Sequence, residues 1–245
     1  MASDCNSEES PRMFPNTRWS VVLRATATPS PESSAALETI CREYWHPLYA
    51  YARRSGQSEH DAQDLTQEFF RRLLEKRWLE KVDREKGRLR TFLVLALKHF
   101  MANEWRRNSA LKRGGGHAPV QMDTSFAESS AAADSSLSPE EVFDRQWALT
   151  LLDLTLKKLQ TEFAAAGKAN EFAQLKRCLT TDHGTIDYAA MAGQLGMNQG
   201  AARVAVHRLR KRFREIYRQE ITQTLADGAE LDAELRHLAA ALARQ

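Results

Sequence analysis

The stretch from Tyr188 to Arg214, YAAMAGQLGMNQGAARVAVHRLRKRFR, constrains the fold most, because it divides into two helical patterns at Gly196. Before this glycine, Met191 and Leu195 are four residues apart, as on one face of a short helix. After it, Asn198 is a favourable N-cap residue for a second helix. Two helices joined by a glycine turn are typical of a helix-turn-helix pair.

The predicted second helix has two different sides. Ala202, Val206 and Leu209 recur at helical spacing and form an apolar side. The other side is basic, and no acidic residue occurs from Arg203 to Arg214. A helix of this kind can enter the major groove of DNA, where its cations meet phosphates. The alternative is an ordinary helical hairpin whose basic face is solvated.

The rest of the 245-residue chain also has helical periodicity and contains no convincing run of alternating strand residues, so we predict an all-α fold. No run of about eighteen apolar residues occurs, so we expect no membrane span. The net charge is only +3, and its distribution is more informative than its size. Cys5, Cys41 and Cys178 lack metal-ligand spacing, which predicts no metal site and fits a reducing cytoplasm.

A segment dominated by glycine, serine, alanine and aspartate separates two helical parts, and we predict that it is a flexible linker between two small domains. Beyond the second domain, leucines at helical spacing from Leu231 to Leu242 predict a helix that packs on its own domain or on a partner. The predicted parts are an N-terminal extension at 1–30, a first domain at 31–113, the linker at 114–138, a second domain at 139–228 and a C-terminal helix at 229–245.

Two segments of the first domain have the composition of binding surfaces. The helix predicted to begin after Ser58 as its cap gathers acidic residues near its start, which can serve a partner or simply interact with the helix dipole. Lys81–Arg90 is charged and is interpreted as a loop, and a helix is predicted to begin at Thr91. Its second half is basic and aromatic, which suits single-stranded nucleic acid. The alternative is a core helix with a solvated basic end.

In this order, Asp61–Glu75, Asp83–Arg107 and the helix pair Tyr188–Arg214 resemble the extracytoplasmic-function group of bacterial RNA polymerase sigma factors. The resemblance covers about 41–113 and 140–220, and the linker is longer than is usual in that family. It implies an initiation factor with a region 2-like and a region 4-like domain. Such a factor binds core RNA polymerase, recognises and melts the minus-ten promoter element and reads the minus-thirty-five element.

The resemblance also implies roles for individual residues. The clamp of the polymerase β′ subunit would be bound by Asp61, Asp64, Leu65, Gln67, Glu68 and Phe69. The minus-ten element would be bound by Lys86, Arg88, Lys98, His99, Asn103, Arg106 and Arg107. The minus-thirty-five element would be bound by Gln199, Gly200, Ala201, Arg203, His207, Arg208 and Lys211. Val204 and Ala205 stand where many members are basic or polar, which predicts more use of apolar contact and DNA shape.

The implied partners are core RNA polymerase, through its β′ clamp and β flap, promoter DNA, and an anti-sigma factor or other regulator. We expect a cytoplasmic protein with no cofactor and no membrane contact. We also expect no enzymatic activity, because Gly167-Lys168 lacks the preceding glycine-rich spacing of a phosphate-binding loop. The main alternative is a stand-alone helix-turn-helix regulator, which needs no polymerase-binding surface on Asp61–Phe69. A helical scaffold without a DNA role is a second alternative.

Overall fold

A computed structural model gives the arrangement of the chain and describes residues 21–22, 25–26, 30–81, 88–110, 136–225 and 230–244. Over these ranges the protein is helical and contains no strand, so the all-α prediction is confirmed. The α-helices of these ranges are α1 (Pro31–Arg54), α2 (Glu59–Glu75), α3 (Leu89–Ala110), α4 (Pro139–Ala165), α5 (Ala169–Leu175), α6 (Tyr188–Leu195), α7 (Gln199–Thr222) and α8 (Leu231–Ala243). Short 3-10 turns occupy Trp78–Lys81, Lys176–Leu179 and His183–Thr185.

Side-chain caps define the starts of the longer helices. Ser30 and Ser138 form capping boxes at the starts of α1 and α4, and each is followed by a proline at the first helical position. Ser58 caps α2 by accepting a hydrogen bond from the backbone N–H of Asp61. α3 begins at Leu89, slightly earlier than the start predicted from the sequence, and the preceding residues 82–87 lie outside the described ranges.

Helix α4 contributes to both major hydrophobic clusters. Its first part packs along α1, where the rings of Tyr44 and Trp147 stack with their centroids 4.5 Å apart. Its last part carries Leu159, which is fully buried against α5, α6 and α7. A helix of 27 residues is about 40 Å long, so α4 reaches from one cluster to the other.

The two helical parts of the chain are in contact. The first cluster contains side chains of α1, α2 and α3 together with Ile221, Leu225 and Leu238 from the C-terminal part. Leu238 lies on α8, so the C-terminal helix packs on the core of its own chain. Residues 114–135 of the predicted linker lie outside the described ranges, and the predicted domain boundaries stay a prediction. None of the helices in the described ranges is long and apolar enough to cross a membrane.

Candidate nucleic-acid and protein interfaces

A depression of about 420 Å³ between α2 and α3 is bordered by four carboxylates. Asp61, Asp64 and Glu68 come from α2, and Glu104 comes from α3. Phe100, which is almost fully buried, contributes an apolar surface to the same depression. Glu104 was missed by sequence reasoning, because the packing of two helices brings it to α2. We call these four carboxylates and their depression the acidic depression.

The carboxylates of the acidic depression differ in how they are held. Asp64 Oδ2 lies 3.2 Å from His60 Nδ1, and its side chain is 43% exposed. Glu68 binds two arginines, with Arg71 Nε at 2.6 Å and Arg72 Nε at 2.8 Å. The hydrogen bond from Arg71, assisted by Arg72, lowers the pKa of Glu68 to about 2. Glu68 is therefore ionised at neutral pH, but much of its charge is compensated within α2.

The other residues of α2 that were predicted to bind a partner lie deeper. Leu65 and Gln67 are half-buried, and Phe69 has no exposed surface. The ring of Phe69 packs on those of Phe70 and Phe100, so its side chain supports the helix from the core. The exposed residues of α2 are the acidic Glu59, Asp61 and Glu75 together with His60, Arg71 and Leu74.

Helix α3 has one buried and one exposed side. Leu93, Leu97 and Phe100 lie in the first cluster. The exposed side carries Lys98, His99, Asn103, Trp105 and Arg106. These residues include most of the predicted minus-ten set that the structure describes.

Trp105 is the most exposed of the large hydrophobic side chains in the described ranges, at 73% exposure. An indole beside cations can stack on an unpaired base, and this side chain was absent from the predicted site. The sequence places Trp105 in the basic and aromatic half of this helix, but not among the residues assigned to the minus-ten element. Lys86 lies outside the described ranges, and the side chain of Arg107 is not among those described.

The basic residues at the start of α3 are paired with carboxylates. Arg88 Nη2 lies 2.9 Å from Glu230, and Arg88 also binds Glu234. Lys98 Nζ lies 2.6 Å from Glu140 Oε1, and this contact lowers the pKa of the Glu140 carboxyl and raises that of Lys98. Arg88 and Lys98, two of the predicted minus-ten cations, therefore have partners within the chain.

The turn between α6 and α7 has the geometry that its sequence predicts. Gly196 adopts φ 64°, in the left-handed region that disfavours residues with a Cβ. The side chain of Asn198 accepts a hydrogen bond from Ala201 N at 2.8 Å, so the predicted cap of α7 is confirmed. Met191 and Ala202 are buried where the two helices pack.

The outer side of α7 presents the whole predicted minus-thirty-five set to solvent. His207, Arg208 and Lys211 form no ion pair with any side chain of the described ranges. The guanidinium of Arg203 lies 5.3 Å from the ring centroid of Tyr188, which orients it over α6. Val204 is 48% exposed among these cations. The exposed predicted residues of this helix are Gln199, Gly200, Ala201, Arg203, His207, Arg208 and Lys211.

Two arginines of the basic segment have structural contacts instead. Arg210 Nε donates to the backbone oxygen of Cys178 at 2.8 Å. Arg212 Nη2 lies 2.6 Å from Glu162 at the end of α4. These contacts hold α7 against the rest of its cluster. Arg210 and Arg212 therefore have a structural role, whereas His207, Arg208 and Lys211 remain available to a partner.

Comparison with known proteins connects these surfaces to one family. Residues 40–111 match the family model of Sigma-70 region 2, and the matched range contains α2 and α3. Among curated proteins and among solved structures, none matches the chain. Recognition of the promoter minus-ten element is a function of region 2. The match supports a sigma factor of the sigma-70 family with a role in transcription initiation, for which region 2 implies core RNA polymerase and promoter DNA as partners.

Proposed function

We propose that this protein is an initiation factor of the extracytoplasmic-function group, which directs core RNA polymerase to specific promoters and catalyses no reaction itself. The match of residues 40–111 to Sigma-70 region 2 carries the initiation role, and the resemblance of the sequence motifs supports the narrower group. Nucleotide chemistry belongs to the polymerase, and the factor acts in the cytoplasm. An anti-sigma factor or another regulator is a further partner in this proposal.

In this proposal the acidic depression binds the clamp of the polymerase β′ subunit. Complementary charge steers such an encounter and determines its register. Asp64 is the more available charge, because its side chain is exposed and has one histidine partner. Glu68 is already neutralised by Arg71 and Arg72 and helps to hold the helix. Phe100, which is almost fully buried, supports the floor of this surface from the core.

The exposed side of α3 binds the minus-ten element in this proposal. His99 and Asn103 can hydrogen-bond base edges, whereas Arg106 and Arg107 suit phosphates. Lys86 and Arg88 hold the backbone next to a base that has left the stack. Removing a base from the duplex costs roughly a few kcal/mol. Stacking of that base on Trp105 would offset about 1–3 kcal/mol of this cost.

Helix α7 reads the minus-thirty-five element from the major groove in this proposal. Gln199 and Arg203 lie near its N-terminus, where side chains of such a helix reach base edges. Exposed Val204 can contact the methyl group of a thymine, as apolar side chains do in the major groove. His207, Arg208 and Lys211 lie farther along and neutralise phosphates. The part of the chain around α7 also binds the β flap, so that the two DNA contacts add through effective concentration.

Run-off transcription with purified core polymerase tests the proposal. Genomic promoter fragments are transcribed with and without the protein, and we expect new transcripts that require it. Transcripts that depend on the protein but persist with Asp64→Arg would contradict the proposed clamp contact. No transcript and no binding to core, with sequence-specific DNA binding by the protein alone, would make it a stand-alone helix-turn-helix regulator.

A further inference from the structure

Carboxylates from the C-terminal part of the chain cover the basic start of α3. Arg88 is bound by Glu230 and Glu234, with Arg88 Nη2 2.9 Å from Glu230. Arg90 Nη1 lies 2.5 Å from Asp144 Oδ1, and its Nη2 lies 3.0 Å from Glu234 Oε1. Each of these two arginines is therefore held by two acidic residues that lie more than fifty positions away in the chain.

The same cover continues along α3 as far as Lys98. Glu140, at the start of α4, binds Lys98 at 2.6 Å, and it also accepts a hydrogen bond from the Tyr51 hydroxyl at 3.4 Å. His237 of α8 lies 2.8 Å from Asp144, next to the Arg90 contact. Glu140 of α4 thus contacts the exposed side of α3 at Lys98, whereas Glu234 of α8 binds Arg88 and Arg90 at the start of α3.

The described side chains farther along α3 and on the outer side of α7 carry no such cover. Arg106 forms no ion pair with any side chain that the structure describes, and neither does Arg208 or Lys211. Trp105 is 73% exposed. Arg88, Arg90 and Lys98 are therefore paired with carboxylates, whereas these cations farther along α3 and on the outer side of α7 are not.

Carboxylate and phosphate are alternative partners for a guanidinium group, since both accept paired N–H hydrogen bonds from its planar fork. A guanidinium that is held by two carboxylates has few donors left for a DNA strand. We propose that the start of α8 is an intramolecular occupant of the minus-ten surface, and that Glu230 and Glu234 compete with the DNA backbone for Arg88. This inference rests on the proposed function of α3.

The packing of α8 explains why this helix can act as the occupant. Leu238 and Ala241 are buried in the core, and Glu234 has no exposed surface. Glu230 is the outer contact, because its side chain is 51% exposed. Buried Glu234 and Leu238 thus hold the helix in place, while the exposed Glu230 contacts Arg88 from the N-cap position of α8. Free protein would bind minus-ten DNA weakly until α8 leaves this position.

Binding of the purified full chain to a labelled forked DNA with a randomised single-stranded arm tests the inference by fluorescence anisotropy. Glu230→Gln removes one carboxylate from Arg88 at an exposed position, and we expect about two- to five-fold tighter binding. Asp232→Asn is the matched control, because Asp232 is exposed on the same helix but pairs with Arg218 of α7 at 3.3 Å. We expect this control to bind like the unchanged chain.

A second variant identifies the cation involved. If the tighter DNA binding of Glu230→Gln arises at Arg88, the double variant Glu230→Gln with Arg88→Gln should bind DNA no more tightly than Arg88→Gln alone. Equal affinity of the unchanged chain, Glu230→Gln, and the double variant Glu230→Gln with Glu234→Gln would overturn the inference. Circular dichroism of each variant checks that α8 and the core remain folded.

The initiation role is decided separately by run-off transcription with the unchanged chain. If transcripts depend on the protein but Glu230→Gln does not increase DNA affinity, the α8 inference is wrong and the initiation role stands. A gain in DNA affinity without transcripts would retain α8 as the cover of a DNA-binding surface and would contradict the initiation role.

Discussion

The guanidinium of Arg90 lies 3.0 Å from a carboxylate oxygen of Glu234, and the side chains are only 9% and 0% exposed. Arg90 belongs to α3, whereas Glu234 belongs to α8, far away in the sequence. A buried ion pair contributes little net stability, but removal of one partner is costly because the other charge stays buried. The contact therefore ties the position of α8 to that of α3.

Replacement of the buried carboxylate should destabilise the fold. We expect Glu234→Gln to lower the free energy of unfolding by about 1–3 kcal/mol, because an amide does not neutralise the arginines. Glu230→Gln should cost less than about 1 kcal/mol, because that carboxylate is half exposed. Urea unfolding followed by circular dichroism measures both. Equal losses would contradict the assignment of Glu234 as the buried anchor.

Charge reversal in the acidic depression should weaken polymerase binding. We expect Asp64→Arg to reduce affinity for purified core polymerase about tenfold. This loss of affinity should become smaller as the salt concentration rises, because salt screens the charges. Glu59→Arg is the matched control, because Glu59 is exposed on the same helix but does not border the depression. Biolayer interferometry at two salt concentrations gives the affinities. Similar losses in both variants would point to general charge rather than to a defined surface.

Removal of the exposed indole should weaken capture of the unpaired strand. We expect Trp105→Ala to destabilise the complex of polymerase, factor and forked DNA by about 1–3 kcal/mol, because a stacking surface is lost. Trp105→Phe should retain most of the stability, since a phenyl ring also stacks. Dissociation rates of the labelled DNA provide the measurement. If the phenylalanine variant dissociates as fast as the alanine variant, stacking is not the role of Trp105.

Val204 should detect a thymine methyl group in the minus-thirty-five element. Replacement of the contacted thymine by deoxyuridine removes one methyl, whose burial is worth about 0.8 kcal/mol. As part of the holoenzyme, the unchanged chain should bind the deoxyuridine DNA less tightly than the thymine DNA by about this free energy. The Val204→Ala variant should bind the two DNAs with almost equal affinity. Thymines of the element are replaced one at a time in an equilibrium binding assay. An equal loss in both proteins at every position would exclude this contact.

The carboxyl of Glu68 should stabilise the protein in a defined pH range. Its pKa is lowered from 4.5 to about 2, chiefly by the Arg71 hydrogen bond. A depressed carboxyl stabilises the fold above its ordinary pKa, and this contribution disappears as pH falls through the folded value. Glu68→Gln should therefore be less stable at pH 7, by under about 1 kcal/mol because of solvent screening. The difference should fade between about pH 4.5 and pH 2 in urea unfolding, and a constant difference would contradict the ion-pair origin.

The sequence by itself determined the features that depend on neighbours within a few residues. Asn198 caps α7 and Gly196 takes the left-handed turn, because these are local backbone requirements. The buried side of α7 follows from the spacing of Ala202 and its apolar partners. The same local patterns gave the helical class and the order of acidic and basic segments. The roles of these segments toward polymerase and promoter stay predictions.

Only the tertiary structure decided which charges meet. Helix packing brings Glu104 to the acidic depression and turns Arg210 and Arg212 toward the rest of their cluster. It also places Glu230 and Glu234 on Arg88, although the helical periodicity of α8 indicates only an apolar side and a polar side. Periodicity gives the side of a helix on which a charge lies, but its partner depends on how distant helices pack. That physical difference is why the sequence identified the cations of α3 and only the structure showed what covers them.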